Sequence, residues 1–183
     1  MDFKIIIEKQ DCTFARLKKN EYRITFTIQN NFIHLPSIIN FDLVKLLYEL
    51  NKDIFSSVTL EKINENEAIT TLLMKHFFVD LGLPQKYAYF HIEKKEEFEE
   101  EKYNINFYSK TIFAEKPEII PDEADLLAFK DMNLLIEIEN SHKVNIVSSI
   151  LLYENQDIPF FVEKFIGQII YKIFNRLKQF IEN

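Results

Sequence analysis

The apolar positions of this chain recur with two periods, and the changes between them divide it into strands and helices. Tyr22, Ile24, Phe26 and Ile28 alternate with Arg23, Thr25 and Thr27, the period of a strand with one buried face. A shorter strand is predicted over 2–8. From 41 to 50 the spacing lengthens to a helical one through Phe41, Val44, Leu47 and Tyr48. Further strands are predicted at 58–63, 68–77, 87–96, 103–113, 127–139 and 144–153. Their connections carry turn residues: Asn64-Glu65-Asn66, Gly82 with Pro84, an acidic tip near Glu99, and Asn140-Ser141-His142. Connections this short join antiparallel neighbours, so the middle of the chain should be a meander. The longest interruption, 114–125 with Pro117 and Pro121, is expected as an irregular loop over one end of the sheet.

The chain closes on a long amphipathic helix over 158–183. Phe161, Phe165, Ile169, Ile173, Leu177 and Phe180 follow at steps of three or four, and Val162, Ile166, Ile170, Phe174 and Ile181 widen the stripe. Glu163, Lys164, Lys172, Arg176 and Lys178 are assigned to the opposite side. Asp157 is placed to cap the first turn, Pro159 is tolerated within it, and the late basic residues suit the helix dipole. Strand, helix, a run of antiparallel strands and a closing helix make an α+β domain, a curved sheet wrapped around a long C-terminal helix. Alternation nominates Phe26, Leu72, Phe90, Ile105, Phe107, Met132, Leu134 and Ile136 for the face that meets Phe161, Phe165 and Ile169. A filled core and a ligand cavity use the same residue types, so periodicity leaves both open.

Composition narrows the function classes. At 183 residues the chain is one domain, 1–183, without repeat or linker. A net charge of -7 and a pI near 5.2 argue against nucleic acid as a partner and against strong docking on anionic membranes. Cys12 is the single cysteine, which excludes an internal disulfide and fits a reducing, cytoplasmic setting. The N-terminal apolar run is too short for a signal-peptide core, and no stretch approaches a membrane span, so a soluble protein is expected.

Two glycines, Gly82 and Gly167, cannot assemble a phosphate-cradling loop or a dinucleotide fingerprint. His34, His76, His91 and His142 show no metal-site spacing, Cys12 has no companion, and no cofactor is expected. His76 and His91 fall on strands that this order makes adjacent. Ser56-Ser57 and Ser148-Ser149 lack a nucleophile elbow and read as strand or turn residues. The acidic 93–102 run reads as a solvated hairpin end. Gly167 costs its helix roughly 1 kcal/mol relative to alanine, offset either by close packing or by space for a ligand or hinge.

Several local strings resemble START domains, the StAR-related lipid-transfer family within the helix-grip superfamily that includes the birch-pollen-allergen-like proteins. They run from FKIIIEKQDCTFARL, through EYRITFTIQN leading into FDLVKLLYELN, to VTLEKINENEAITTLLMK and the Pro-containing turn at LGLPQKYAYF. The last is KVNIVSSILLYENQDIPFFVEKFIGQIIYKIF, where strand, acidic turn, Ile-Pro and a glycine-bearing helix follow in the family's order. The sequence departs from the family at Lys52-Asp53, where a Trp-Asp pair is usual, and at Gln85-Lys86, where an Arg-Asp pair is usual. It also has no match to the charged pair that some members bury in the cavity.

The resemblance implies a helix-grip fold and a lipid or other hydrophobic small molecule held beneath the C-terminal helix. A carrier needs no catalytic group, since burying a lipid chain supplies about 0.8 kcal/mol per methylene. The expected function is therefore non-enzymatic binding and intracellular transfer of lipid. An enzyme of the cyclase or hydratase type would use Tyr89, His91 or Tyr108 inside the cavity, and an interaction module would have a filled core. The expected gate is the 117–125 loop, with Ile119 and Ile120 making transient membrane contact, together with the helix turns before Gly167.

Overall fold

The computed structural model describes residues 3–9, 11–99, 102–156 and 158–183, with Glu99, Phe160 and Phe161 described by their backbone alone. The cap read for Asp157 and the lining role read for the Phe161 side chain lie outside the described residues. In chain order the elements are β1 (Lys4–Lys9), β2 (Cys12–Lys18), β3 (Glu21–Gln29), α1 (Leu35–Ile38), α2 (Phe41–Glu49) and β4 (Phe55–Lys62). There follow β5 (Glu67–Met74), β6 (Lys86–Glu99), β7 (Lys102–Thr111), β8 (Asp125–Leu126), β9 (Phe129–Asn140), β10 (Lys143–Leu152) and α3 (Phe160–Glu182). The strands form one long, curved 10-stranded sheet in the order β1-β2-β3-β10-β9-β7-β6-β5-β4, with α3 as its closing helix. All pairs on this path are antiparallel, and the two-residue β8 lies parallel to the start of β6.

Successive strands from β4 to β7 and on to β9 and β10 are neighbours, as a meander requires, and β10 then pairs with β3 to join the two parts of the chain. The alternation in β3 sets the register: Phe26 lies opposite Ile146, which lies opposite Ile136, which lies opposite Ile105. All four are buried on one face, here called inner because α3 covers it. Strand β2 and the short α1 were not predicted. At the β2–β3 turn Asn20 takes φ 62, a left-handed conformation that asparagine tolerates, and its side-chain amide donates to the Tyr153 carbonyl at 3.1 Å. Helix α2 starts where Asn40 accepts from the backbone of Asp42 and Leu43, and Phe41 is buried edge-on to Phe107, centroids 5.8 Å apart.

The packing of α3 differs from the predicted stripe. A Cβ built at Gly167 would lie 3.0 Å from Ile6 Cγ2, Ile7 Cγ1 and Phe14 Cδ1, so helix and sheet meet at this residue. Ile170, Phe174, Leu177 and Ile181 continue that arc into the core. Glu163 belongs to it too: it is 2% exposed, not on the solvent side. The buried arc is thus rotated from the Phe165–Ile169–Ile173 line, and Phe180, expected in the stripe, is exposed.

The 114–124 segment also departs from expectation. Ile120 and Ala124 are buried against Leu73 and Tyr87, with Tyr89 and Leu126 beside them. Leu73 and Tyr87 are register partners whose neighbours Leu72 and Ala88 face the core, so the loop covers the outer face, opposite α3. Lys116 ties it together by donating to the carbonyls of Pro121, Asp122 and Ala124 at 3.2, 2.7 and 2.8 Å.

Candidate functional site

Between the inner face, α1, α2 and the C-terminal half of α3 lies a cavity of about 50 Å3. Phe26, Phe107, Leu134 and Ile136 form its floor, Leu43, Val44 and Leu47 one wall, and Phe174 and Leu177 another. Apart from Asn40 every lining residue is apolar. That is far below the roughly 300–1,000 Å3 of ordinary small-molecule pockets. No acyl chain fits without displacement of side chains.

Beyond the cavity, toward the start of α3, the inner face is less covered. Leu72, Met132, Leu134 and Ile150 are half-buried, whereas Phe107, Ser109, Ile136 and Ser148 beside them are fully buried. On α3, Ile166, Ile169 and Ile173 are also half-buried. At about 100° per residue they form a flank turned away from the Gly167 arc. The C-terminus of α2 bounds that flank on one side, where Asn51 donates to the Ile173 carbonyl at 3.4 Å. The β5–β6 connection bounds it on the other, where Phe77 and Phe78 pack edge-on to Phe165 with centroids 5.5 and 4.9 Å away. The site is therefore an apolar trough under one flank of α3, ending in a small apolar cavity.

The nominated lining residues divide between these parts. Phe26, Phe107, Leu134 and Ile136 line the cavity. Phe90 and Ile105 are buried in the main core, Leu72 and Met132 lie half-buried against it, and Ile169 is on the half-buried flank. Phe165 holds the helix start to the β5–β6 connection. The nominated gate residues are not brought together: Gly167 is closed by β1 and β2, Ile119 is exposed, and Ile120 is buried on the outer face, where it cannot meet a membrane.

Two polar clamps hold α3, and neither was read from the sequence. Glu163 accepts from Lys4 at 3.1 Å, Arg16 at 3.0 Å and the Tyr22 hydroxyl at 3.4 Å. Its position four residues before Gly167 and seven before Ile170, inside the apolar arc, was the available signal. Near the other end Asp53 pairs with both Lys172 and Arg176, while Arg176 also donates to Asn51 Oδ1 at 3.0 Å. Hydrogen bonds from Arg176 and Lys172 hold the Asp53 carboxyl well below the usual carboxylate range. Burial pushes the Tyr48 hydroxyl, beside Phe55, well above its ordinary value.

The residues named for an enzyme do not face this space. Tyr89 lies on the outer face, His91 is 3.9 Å from Glu67, and Tyr108 donates to Glu97 at 3.3 Å on the same outer side. His76 lies beyond β5, its ring nitrogen 2.6 Å from the Leu83 carbonyl, and does not meet His91. Among the described residues no three His, Cys, Asp or Glu side chains gather as a metal site, and no helix is long and apolar enough to cross a membrane.

No sequence-family model and no curated protein sequence matches the chain. Solved structures do. The human StarD13 (DLC2) lipid transfer and protein localization domain superimposes with a TM-score of 0.69 at 10% identity, covering 98% of this chain and 89% of that one. A STAR-related lipid transfer protein from Xanthomonas axonopodis gives 0.68 at 9% identity, covering 99% of both chains. Human StAR-related lipid transfer protein 5 gives 0.66 at 10% identity, over 98% of this chain and 86% of that one. The chain has the helix-grip fold of START domains, as the sequence strings implied.

Proposed function

We propose that this protein is a non-enzymatic carrier that binds a lipid between the inner face of its sheet and α3, and moves it between membranes in the cytoplasm. The observation that supports this most is the continuous apolar surface under α3, from half-buried Leu72 and Met132 to the cavity floored by Phe107 and Ile136. START-fold neighbours described as lipid transfer proteins support the same reading. Removing an acyl chain from water supplies about 0.8 kcal/mol per methylene, enough to displace side chains that fill the trough when no ligand is bound.

The roof must move for a lipid to enter. The segment suited to this is the β5–β6 connection, whose Phe77 and Phe78 grip Phe165 while Val79 and Leu81 stand exposed. Exposed apolar side chains next to the trough give the protein its membrane contact, and a net charge of -7 keeps that contact brief. The nominated gate at Ile119 and Ile120 is replaced in this reading by Phe77, Phe78 and Phe165.

The small volume of the cavity favours one rival, an interaction module with a filled core. Native mass spectrometry of the purified protein separates the two. Co-purifying lipid, released on unfolding, supports the carrier. A bare protein that stays bare after incubation with phospholipid and neutral-lipid vesicles supports the module.

A further inference from the structure

Strand β6 outruns its neighbour β5. Glu93 lies opposite Glu67, the first residue of β5, and residues 94–99 continue beside β7 alone. The last rung toward the β4–β5 turn is the Lys94 amide, which donates to the Asn66 carbonyl at 2.7 Å. Backbone groups alternate sides along an antiparallel strand, so the N–H and C=O of Glu96 and Phe98 point the same way as those of Lys94, away from β7. They open onto a cleft of about 930 Å3 between that turn and β6, lined by residues 64–67 and 93–97. Among the described residues no strand covers this edge.

The two sides of this edge differ in charge. Ala68 and Ile92 are core residues, so alternation places Lys94, Glu96 and Phe98 on the inner side and Glu67, Glu93 and Glu97 on the outer. On the inner side Lys94 is 2.8 Å from Glu96, and Phe98, 76% exposed, stacks on Tyr103 with centroids 4.5 Å apart. On the outer side Lys95 is 3.1 Å from Glu93 and is the one lysine among three carboxylates, while Glu97 accepts from Asn106 at 2.9 Å and Tyr108 at 3.3 Å. An uncovered edge is a template for another strand, and its side chains decide which. A second copy is disfavoured, because antiparallel pairing about Glu96 sets Glu96 against Glu96 and Glu93 against Glu99. A segment of alternating basic and apolar residues fits: its cations meet the outer carboxylates and its apolar side chains rest beside Phe98.

We propose that residues 94–98 of β6 accept, as an added strand, an extended segment of a partner protein in which basic and apolar residues alternate, held by main-chain hydrogen bonds to Glu96 and Phe98. The edge lies about 30 Å along β6 from the β5–β6 connection, so this second function is independent of the carrier reading. The test is fluorescence anisotropy of a fluorescein-labelled KVKVKVK peptide with the full chain at about 50 mM salt, where exposed charges are weakly screened. Two further peptides serve as comparisons: EVEVEVE reverses the charge, and KVKPKVK keeps it but cannot continue a strand. KVKVKVK should bind saturably and at least about tenfold more tightly than either. With it bound, amide hydrogen exchange at Glu96 and Phe98 should slow at least about tenfold, while amides already paired to β7 change little. Glu97→Lys should weaken binding at least about tenfold by setting a cation against the peptide's own. Glu96→Pro removes the amide that points into the cleft and spares the bonds to β7, and should have the same effect. If the proline variant does not fold, Glu97→Lys and the exchange measurement decide the matter.

Equal binding of KVKPKVK and KVKVKVK, or binding that leaves the Glu96 and Phe98 amides exchanging as before, overturns the proposal, since charge alone would then account for the attraction. Absence of saturable KVKVKVK binding overturns it as well. So does a dimer of the free protein that Glu97→Lys or Glu96→Pro dissociates, because a second copy would then occupy the edge.

Discussion

Arg16 on β2 donates to Glu163 on α3 at 3.0 Å, and the two differ in their access to water: the glutamate is 2% exposed and the arginine side chain 27%. The pair is therefore asymmetric. Removing the arginine strands a buried carboxylate on Lys4 and Tyr22, whereas removing the glutamate leaves cations that can turn toward solvent. Arg16→Met should destabilise by about 3 kcal/mol and Glu163→Gln by about 1 kcal/mol, read from urea unfolding. Equal losses would contradict the asymmetry.

Gly167→Ala sets helix propensity against packing. Alanine gains about 1 kcal/mol in a helix interior, and the new methyl meets three core side chains at 3.0 Å, an overpacking that costs about 1–3 kcal/mol. A net destabilisation of about 1 kcal/mol is expected by urea unfolding, rising past 3 kcal/mol for Gly167→Leu. A stabilised Gly167→Ala would show that α3 does not rest on β1 and β2 at this point.

Asp53 makes a pH prediction. Its carboxyl is held below the ordinary range in the folded protein by Arg176 and Lys172, so the unfolded chain takes up its proton first as pH falls. The clamp's contribution is complete above about pH 4 and is lost as pH drops through the lowered folded value. Asp53→Asn should flatten the acid limb of the stability curve below pH 4 and leave its slope unchanged between about pH 6 and 8. An unaltered acid limb would count against the clamp.

Cys12 faces the core, and burial raises its thiol above the ordinary value. It should react with a disulfide reagent at pH 8 at least about tenfold more slowly in the folded protein than in urea, since the thiolate is the reacting form. Equal rates would place it outside the core.

Residues whose alternation is uninterrupted were legible in the sequence, and those whose partners lie far along the chain were not. Strand β3 shows every inner position as apolar, and so could be read. Strand β2 places Arg16 at an inner position, where only Glu163 explains a charge, and the pattern broke there. Glu163 was assigned to the solvent side for the same reason: a glutamate in a helix reads as polar until its partners are known. Ile120 stands alone in a polar loop, and its burial depends on Leu73 and Tyr87 meeting on the outer face. The lining residues followed from alternation, but which of them border a void depends on how far α3 is rotated, and close contact at Gly167 fixes that rotation.

Carriage of lipid in the trough beneath α3 should be visible as transfer of a fluorescent neutral lipid between vesicles. The parent protein is compared with a variant in which Phe78 and Phe165 are cysteines, in a Cys12→Ser background. The two rings pack 4.9 Å apart, so a short, reducible bis-methanethiosulfonate cross-linker filling the space the rings leave should tie the β5–β6 connection to α3. Transfer should be catalytic in the parent, fall at least about tenfold once the bond is shown to have formed, and return on reduction. Undiminished transfer by the cross-linked protein, or no transfer by the parent, would show that lipid is not carried there.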